Sequence, residues 1–263
     1  MVNPIKKEPS MKYIIAILLL ISASLSNAGT IDQKNQDYKY VEYGAEHKCV
    51  VEIGGIYHKD TKFRASAVVF KPSWILTAAH IIQNAKHCFI KNGDEIIQVT
   101  DLSYPEEYDE NKFGFYDIAI GKLEKEVNLN FYPELYTKDD ENNKICSISG
   151  FGLTGPFQIS ATRTSDNKKR AGTNTVNRIE NHLLICNLID KNTALEFLIC
   201  HGDSGGGLFI DKKLAGINSC IFSDDKKLDS DIKDESGHTR VSFFTDWINK
   251  SIDKIEQNSK KTQ

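Results

Sequence analysis

The stretch Cys200-His201-Gly202-Asp203-Ser204-Gly205-Gly206-Gly207-Leu208-Phe209 decides how the rest of the chain is read. One serine stands among four glycines and an aspartate, directly before an apolar run with the composition of a strand. A serine hydroxyl is a reluctant nucleophile: it attacks a carbonyl only when a base removes its proton and nearby donors hold the resulting oxyanion. Glycine serves the second need, because without a Cβ it tolerates positive φ and lets backbone N–H groups turn towards one point. The same composition also suits an ordinary hairpin turn, so the reading depends on partners elsewhere.

Those partners lie upstream. Trp74-Ile75-Leu76-Thr77-Ala78-Ala79-His80 places a histidine just past an apolar strand, with two alanines leaving room around it. Its unperturbed pKa suits general-base work near neutrality. Tyr116-Asp117-Ile118-Ala119-Ile120 carries an aspartate at the entrance of another apolar run. Singly, each has a plain structural reading: a histidine that happens to follow a strand, a carboxylate that caps a turn. In the order His80, Asp117, Ser204 they match one of the chain orders in which a Ser-His-Asp arrangement is assembled.

The surrounding pattern is β-rich. Short runs at 49–53, 65–70, 74–77, 88–90 and 96–100, and again at 144–149, 174–179, 182–188, 207–211 and 214–219, are separated by turns such as Lys71-Pro72-Ser73 and Asn92-Gly93-Asp94. That spacing predicts a barrel or sandwich. Residues 38–44 read as an N-terminal arm, 104–112 as an acidic surface loop, 128–143 as the connection between two halves, and 160–172 and 223–236 as solvated loops. Phe244, Trp247, Ile248, Ile252 and Ile255 recur at helical spacing and predict a terminal helix docked on the body, with 257–263 fraying.

Composition narrows the function classes. Hydrophobic residues at 40% and aromatics at 10% can build a core, and a formal net charge of -3 argues against nucleic acid as the main partner. Residues 11–28 have a basic start, an apolar block at 14–21 and the small-residue ending Ser26-Asn27-Ala28, which predicts a secretory leader cut after Ala28. The block is too short to span a bilayer comfortably, so no stable membrane insertion of the mature chain is expected and the location is secreted or periplasmic. Residues 1–10 are an extended basic start or an upstream, misassigned one. Six cysteines (Cys49, Cys88, Cys146, Cys186, Cys200, Cys220) follow the leader, an even number that suggests disulfides in an exported chain. None has the short ligand spacing of a zinc site, so neither metal nor cofactor is expected.

On these motifs the sequence resembles the trypsin/chymotrypsin-like serine endopeptidase family, as a secreted, bacterial-type member. The match is carried by Thr77-Ala78-Ala79-His80, Asp117-Ile118-Ala119-Ile120, Gly202-Asp203-Ser204-Gly205-Gly206 and Leu214-Ala215-Gly216-Ile217-Asn218-Ser219, with weaker agreement at Gly150-Phe151-Gly152-Leu153-Thr154 and Thr239-Arg240-Val241 before Trp247-Ile248. It covers the chain from about residue 40 to residue 255. The resemblance implies an all-β fold of two packed six-stranded antiparallel β-barrels (about 40–127 and 144–240) with a C-terminal α-helix at about 242–256, all within one protease domain at 29–263. It implies Ser204 as nucleophile, His80 as base, Asp117 as the residue orienting His80, Gly202 and Ser204 N–H groups as an oxyanion hole, and Asp203 ordering the loop. Ser219 would support Asp117 and begin the strand that substrate joins. Protein or peptide substrates and a monomeric enzyme follow.

Three departures from the family pattern shape further expectations. Ile81 and Ala65 stand where a paired cysteine bridge is common; Cys200 keeps its family position with Cys220 as its expected partner, and Cys49–Cys88 and Cys146–Cys186 are the remaining expected pairs. Where many members carry a cleavable Ile-Val-Gly-Gly start whose ammonium pairs with the aspartate before the nucleophile, this chain reads Lys39-Tyr40-Val41-Glu42-Tyr43-Gly44. Either a cut after Lys39 makes Tyr40 the terminus, or Asp203 pairs with an internal group and no zymogen exists. Leu198, followed by Ile199, occupies the place of the acidic residue found in members that cut after Arg or Lys. With Ile221 on the pocket wall, an apolar residue before the scissile bond is expected, unless Asp224, Asp225 or Glu235 supplies a charge. Two rivals stay open: a catalytically silent protease-fold binding or adhesion module, and a Gly-x-Ser-x-Gly esterase, in which the serine tops a strand-to-helix turn.

Overall fold

Trp74–Thr77 is apolar at nearly every position and buried throughout, as expected of a strand covered on both sides, and the first half of the molecule closes around it. The computed structural model describes residues 29–112, 114–158, 166–188, 193–223, 227 and 230–261. The first half runs β1 (Thr30–Ile31), α1 (Asp37–Glu46), β2 (Val50–Tyr57), β3 (Lys62–Lys71), β4 (Trp74–Thr77), α2 (Ala79–Ile82), β5 (Ala85–Asn92), β6 (Glu95–Ser103) and β7 (Ala119–Leu123). Strands β2-β3-β4-β7-β6-β5 form a closed barrel filled by residues such as Ile53, Val68, Ile75, Leu76, Ile90 and Ile120. Closure leaves no unpaired edge.

The second half carries β8 (Ile145–Gly150), β9 (Gly155–Pro156), β10 (Arg170–Thr175), β11 (Arg178–Glu180), β12 (Leu183–Cys186), β13 (Phe197–Leu198), β14 (Gly207–Ile210), β15 (Lys213–Phe222), β16 (Glu235–Arg240) and the final helix α3 (Val241–Lys261). Seven of these strands, rather than six, make one antiparallel, barrel-like sheet in the order β10-β8-β14-β15-β16-β12-β11. A small sheet, β13-β1-β9, stitches the N-terminal residues to this half through Thr30 opposite Leu198 and Gly155. Helix α3 buries Val241, Phe244, Ile248, Ile252 and Ile255 in the same apolar cluster as the first barrel, together with Phe209, Leu214 and Ile217 of the second half. Each such side chain contributes about 1.5–3 kcal/mol by leaving water, so the helix clamps the two halves. No described helix is long and apolar enough to cross a membrane.

Several expectations need correction. The supposed arm at 38–44 is helix α1: Tyr40 is fully buried, its ring 6.5 Å from that of Phe197. Asp37 at the helix start pairs with the buried Arg170 guanidinium through contacts of 2.6 and 2.7 Å. Tertiary partners hold this helix, not an apolar stripe. The run 174–179 breaks at Val176 and Asn177, whose N–H groups donate to Lys144 and Ile185 carbonyls. Strand β16 falls across the end of the supposed loop 223–236, because its buried residues are Ser236, Gly237, His238 and Thr239 and show no apolar pattern.

The cysteines are all buried. Cys88 pairs across the strands with Gly55, six residues along from Cys49. At about 3.3 Å per residue that is about 20 Å, far beyond the reach of a disulfide, so Cys49–Cys88 is excluded. Cys220 turns towards Leu183, Ile185 and Gly237. Cys146 and Cys186 sit with their Sγ atoms 3.9 Å apart. After equilibration with oxidised glutathione, peptide mapping by mass spectrometry is expected to find Cys146 joined to Cys186 and no Cys49–Cys88 peptide; the reverse pattern would refute this arrangement.

Candidate active site

Strand β4 ends at Thr77, whose hydroxyl donates to the Ser66 carbonyl of β3 at 2.9 Å. The chain then enters the single turn α2, which swings His80 out of the barrel. The His80 backbone N–H donates to Asp117 Oδ1 at 2.9 Å, and His80 Nδ1 lies 2.7 Å from Asp117 Oδ2. Because a carboxylate only accepts, Nδ1 carries the proton and Nε2 keeps its lone pair. Asp117 is 3% exposed, whereas the His80 side chain is 35% exposed, so one end of the pair is sealed and the other is open to an incoming molecule.

The second half completes the setting of Asp117. Ser219 Oγ on β15 donates to Oδ2 at 2.6 Å, and Thr239 Oγ1 on β16 donates to the Asp117 carbonyl at 2.7 Å. Burial alone would raise the Asp117 pKa; the facing imidazole, the Ser219 hydroxyl and the His80 N–H outweigh it and hold the carboxyl below its ordinary value.

Ser204 is fixed by its backbone. Its carbonyl accepts from Ser66 N–H at 2.9 Å, and the following Gly205 N–H donates to the Asn218 carbonyl at 2.8 Å, one residue before Ser219. Gly205 has φ of +81°, and a Cβ there would come within 2.1 Å of both the Ser66 carbonyl and Thr77 Oγ1. Only glycine lets the serine turn approach the first barrel this closely. Among the described residues, Ser204 Oγ makes no hydrogen bond, and neither do the N–H groups of Gly202 and Ser204. Two unengaged donors therefore flank Asp203, beside an unengaged hydroxyl.

Asp203 is fully buried. Its Oδ1 accepts Gly152 N–H at 2.8 Å, while Oδ2 accepts Cys200 N–H at 2.8 Å and Gly29 N–H at 2.7 Å. Burial pushes its pKa up to about 7 against the pull of these donors. Gly150 and Gly152 make the space: a Cβ on either would come within 2.3–2.6 Å of the carboxylate. In the uncut chain Tyr40 lies buried within α1, and the Asp203 carboxylate is met by these three backbone N–H groups.

Around the site, a cavity of about 220 Å³ is lined by His80, Asp117, Ser219, Cys220, Tyr108 and Glu110. A larger one, about 610 Å³, lies against α1 and β8 and includes neither His80 nor Ser204. Leu198 is fully buried against Phe157 and Leu188, and Ile199 is buried with its N–H on Ser236 Oγ. Ile221 sits opposite Ser236. Glu235 is engaged by Arg178 through two 2.6 Å contacts and so offers no spare charge; Asp224 and Asp225 lie outside the described residues. The strand-to-helix turn of the esterase reading is absent, since Ser204 is followed by strand β14. Sequence reasoning passed over Ser66, whose hydroxyl joins the Gly202 carbonyl to Phe151 N–H, and Gly29. A single hydroxyl or glycine carries no pattern to find.

Comparison with known proteins agrees with this fold. A family model described as Trypsin matches residues 45–248. Kallikrein-1E2 of Equus caballus is 25% identical over 228 residues, covering 76% of this chain and 84% of the relative. Chymotrypsin-like elastase family member 1 of Macaca fascicularis is 25% identical over 226 residues, covering 76% and 80%. A solved structure titled HL collagenase superposes with a TM-score of 0.66 at 17% identity, covering 80% of this chain and 95% of that one; a mouse neuropsin structure gives 0.64 at 19%, covering 80% and 96%. With a family model spanning most of the chain, the protein belongs to the trypsin family and is a serine endopeptidase acting on protein or peptide substrates.

Proposed function

We propose that the enzyme is an exported endopeptidase in which Ser204 is the nucleophile, His80 the general base and Asp117 the group that sets the tautomer of His80. The observation that carries this reading is the buried Asp117 carboxylate held against His80 Nδ1 at 2.7 Å, which leaves Nε2 as a proton acceptor. Ser204 Oγ adds to the peptide carbonyl as His80 Nε2 takes its proton, and that proton passes to the leaving amine. The N–H groups of Gly202 and Ser204 receive the oxyanion, a contribution of about 3–4 kcal/mol per donor. Water then releases the acyl group by the same steps in reverse order. Ser219 holds Asp117 through its hydroxyl while the adjoining end of β15 offers its backbone to an extended substrate.

An apolar residue before the scissile bond fits best. Leu198 puts no acidic side chain six residues before Ser204, Glu235 is already engaged by Arg178, and a guanidinium buried without a counter-charge is costly. Cleavage profiling with a diverse peptide library is expected to show cuts mainly after apolar residues; cuts mainly after Arg or Lys would overturn the specificity reading.

The roles are tested by Asp117→Asn and Ser204→Ala. An amide nitrogen at the Oδ2 position would donate to His80 Nδ1 and move the imidazole proton to Nε2, so Asp117→Asn should lower kcat by about 10⁴ while leaving KM nearly unchanged. Ser204→Ala should remove acyl-enzyme formation and its burst. Asp117→Asn turnover within tenfold of the parent would contradict the role.

Stability gives an independent readout. Asp117 has a folded pKa below its unfolded value, so its ionised form stabilises the fold above the ordinary carboxylate range, and this contribution disappears as pH falls through the lower folded value. The parent's stability should therefore fall more steeply than that of Asp117→Asn below pH of about 4; parallel curves would contradict the pairing.

A further inference from the structure

The two N–H groups proposed for the oxyanion belong to peptide units whose carbonyls are anchored from behind. The Ser204 N–H shares its unit with the Asp203 carbonyl, which accepts Gly206 N–H at 2.9 Å and the Asn218 side-chain Nδ2 at 3.1 Å. Among the described residues no peptide bond is cis, so the N–H of a unit points opposite to its C=O. A carbonyl held on the fully buried Asn218 therefore turns the Ser204 N–H away from the interior. The Gly202 N–H is aimed in the same way, through the His201 carbonyl, which accepts Leu153 N–H at 2.6 Å.

Asn218 reaches every residue of the turn from Asp203 to Gly206 except the nucleophile itself. Its carbonyl accepts Gly205 N–H and its N–H donates to the Gly206 carbonyl, both at 2.8 Å, while Nδ2 also donates to the Ser149 carbonyl of β8 at 3.1 Å. A Cβ on Gly206 would lie 2.3 Å from the Ser149 carbonyl oxygen and 2.7 Å from Nδ2, so the amide fills the space behind the turn. The next residue of β15, Ser219, bonds Asp117 instead. We propose that Asn218 and His238 are positioning residues for the reaction: the Asn218 amide aims the Ser204 N–H at the oxyanion, and His238 fixes which way that amide points. This inference rests on the proposed roles of Gly202 and Ser204.

The orientation of the amide follows from what surrounds it. Nδ2 faces two carbonyls, those of Ser149 and Asp203, and a flipped amide would turn its own oxygen on both. Oδ1 then faces His238, whose Nδ1 lies 2.9 Å away, so Nδ1 carries the ring proton and donates it. Asn218 and His238 stand opposite each other in the pairing of β15 with β16, and both are fully buried. His238 Nε2 has no hydrogen-bond partner among the described residues, and burial holds the pKa of the ring down to about 3, so the imidazole stays neutral. A buried ring nitrogen without a partner costs stability, and an apolar side chain would avoid that cost. What the ring supplies is the Nδ1–H offered to Asn218. Without it Oδ1 is buried with no donor, and the amide can tilt and take the Asp203–Ser204 peptide with it.

The test uses the folded, leader-free chain, with active sites counted by fluorophosphonate titration and the fold followed by thermal unfolding. Asn218→Leu removes the amide, His238→Leu removes only the donor to it, and His238→Asn restores an N–H near the place of Nδ1. On a fluorogenic peptide amide, kcat per active site is expected to fall at least about tenfold in both leucine variants, towards the scale of about a hundredfold for losing one oxyanion donor. KM should stay within about twofold, because the oxyanion forms only after binding. In His238→Asn, kcat should return to within about threefold of the parent, whereas a role in folding alone would leave kcat per active site unchanged in every variant. The stretching band of the acyl-enzyme carbonyl, lowered in frequency by the two donors, should rise in the leucine variants and not in His238→Asn. Leucine variants with the parent's kcat and carbonyl band overturn the proposal, as does a His238→Asn variant no more active than His238→Leu. If Asn218→Leu does not fold, the two His238 variants decide. A parent that forms no acyl-enzyme would instead show that the Ser204 reading has failed, and a parent that acylates without lowering its carbonyl band would place the failure in the Gly202 and Ser204 donors; either result takes the proposal with it.

Discussion

The molecule is organised around a carboxylate that water cannot reach. Asp117 stands at the junction of the two halves, where a bare charge would be expensive, and each half supplies part of what keeps it ionised. The first barrel gives the His80 N–H and imidazole, and the second gives the Ser219 hydroxyl, with Thr239 holding the Asp117 carbonyl. Separating the halves would leave the charge without half of its partners. The need to satisfy Asp117 therefore fixes how the barrel and the sheet meet, and so where His80 stands relative to Ser204.

The serine turn obeys a second constraint of the same kind. Gly205 lies against Ser66 and Thr77 of the first barrel, while Asp203 is sunk in the second half beneath Gly150 and Gly152. Ser204 lies between these two anchors, and the donors at Gly202 and Ser204 are left unengaged. Helix α3 reinforces the arrangement by sharing one apolar cluster with strands from both halves. Rigidity at the site thus comes from buried polar bonds at its centre and apolar packing at its back.

Much of this was legible because the chemistry demands particular residue types at recognisable strand ends. Trp74–Thr77 appears as a strand in both readings, and the 3.6-residue stripe of α3 marked a docked helix before any contact was known. What escaped lacked such a pattern. Helix α1 depends on Tyr40 meeting Phe197 and Asp37 meeting Arg170, partners more than a hundred residues away. Strand β16 buries small and polar residues that look like loop. The pairing of Cys49 with Cys88 failed because strand register, which composition does not carry, puts them at opposite ends of β2. Gly29 was read as the residue after a leader, and its contact with Asp203 is visible only in three dimensions.

The claim on which the whole account turns is that Ser204 is an activated nucleophile. Incubation of the folded, leader-free chain with a fluorophosphonate, followed by peptide mapping, tests it most directly. The account predicts one stoichiometric adduct on Ser204, abolished by Ser204→Ala and slowed by Asp117→Asn. A folded chain that stays unlabelled, or that carries its adduct on another residue, would contradict it and favour a protease fold kept for binding alone.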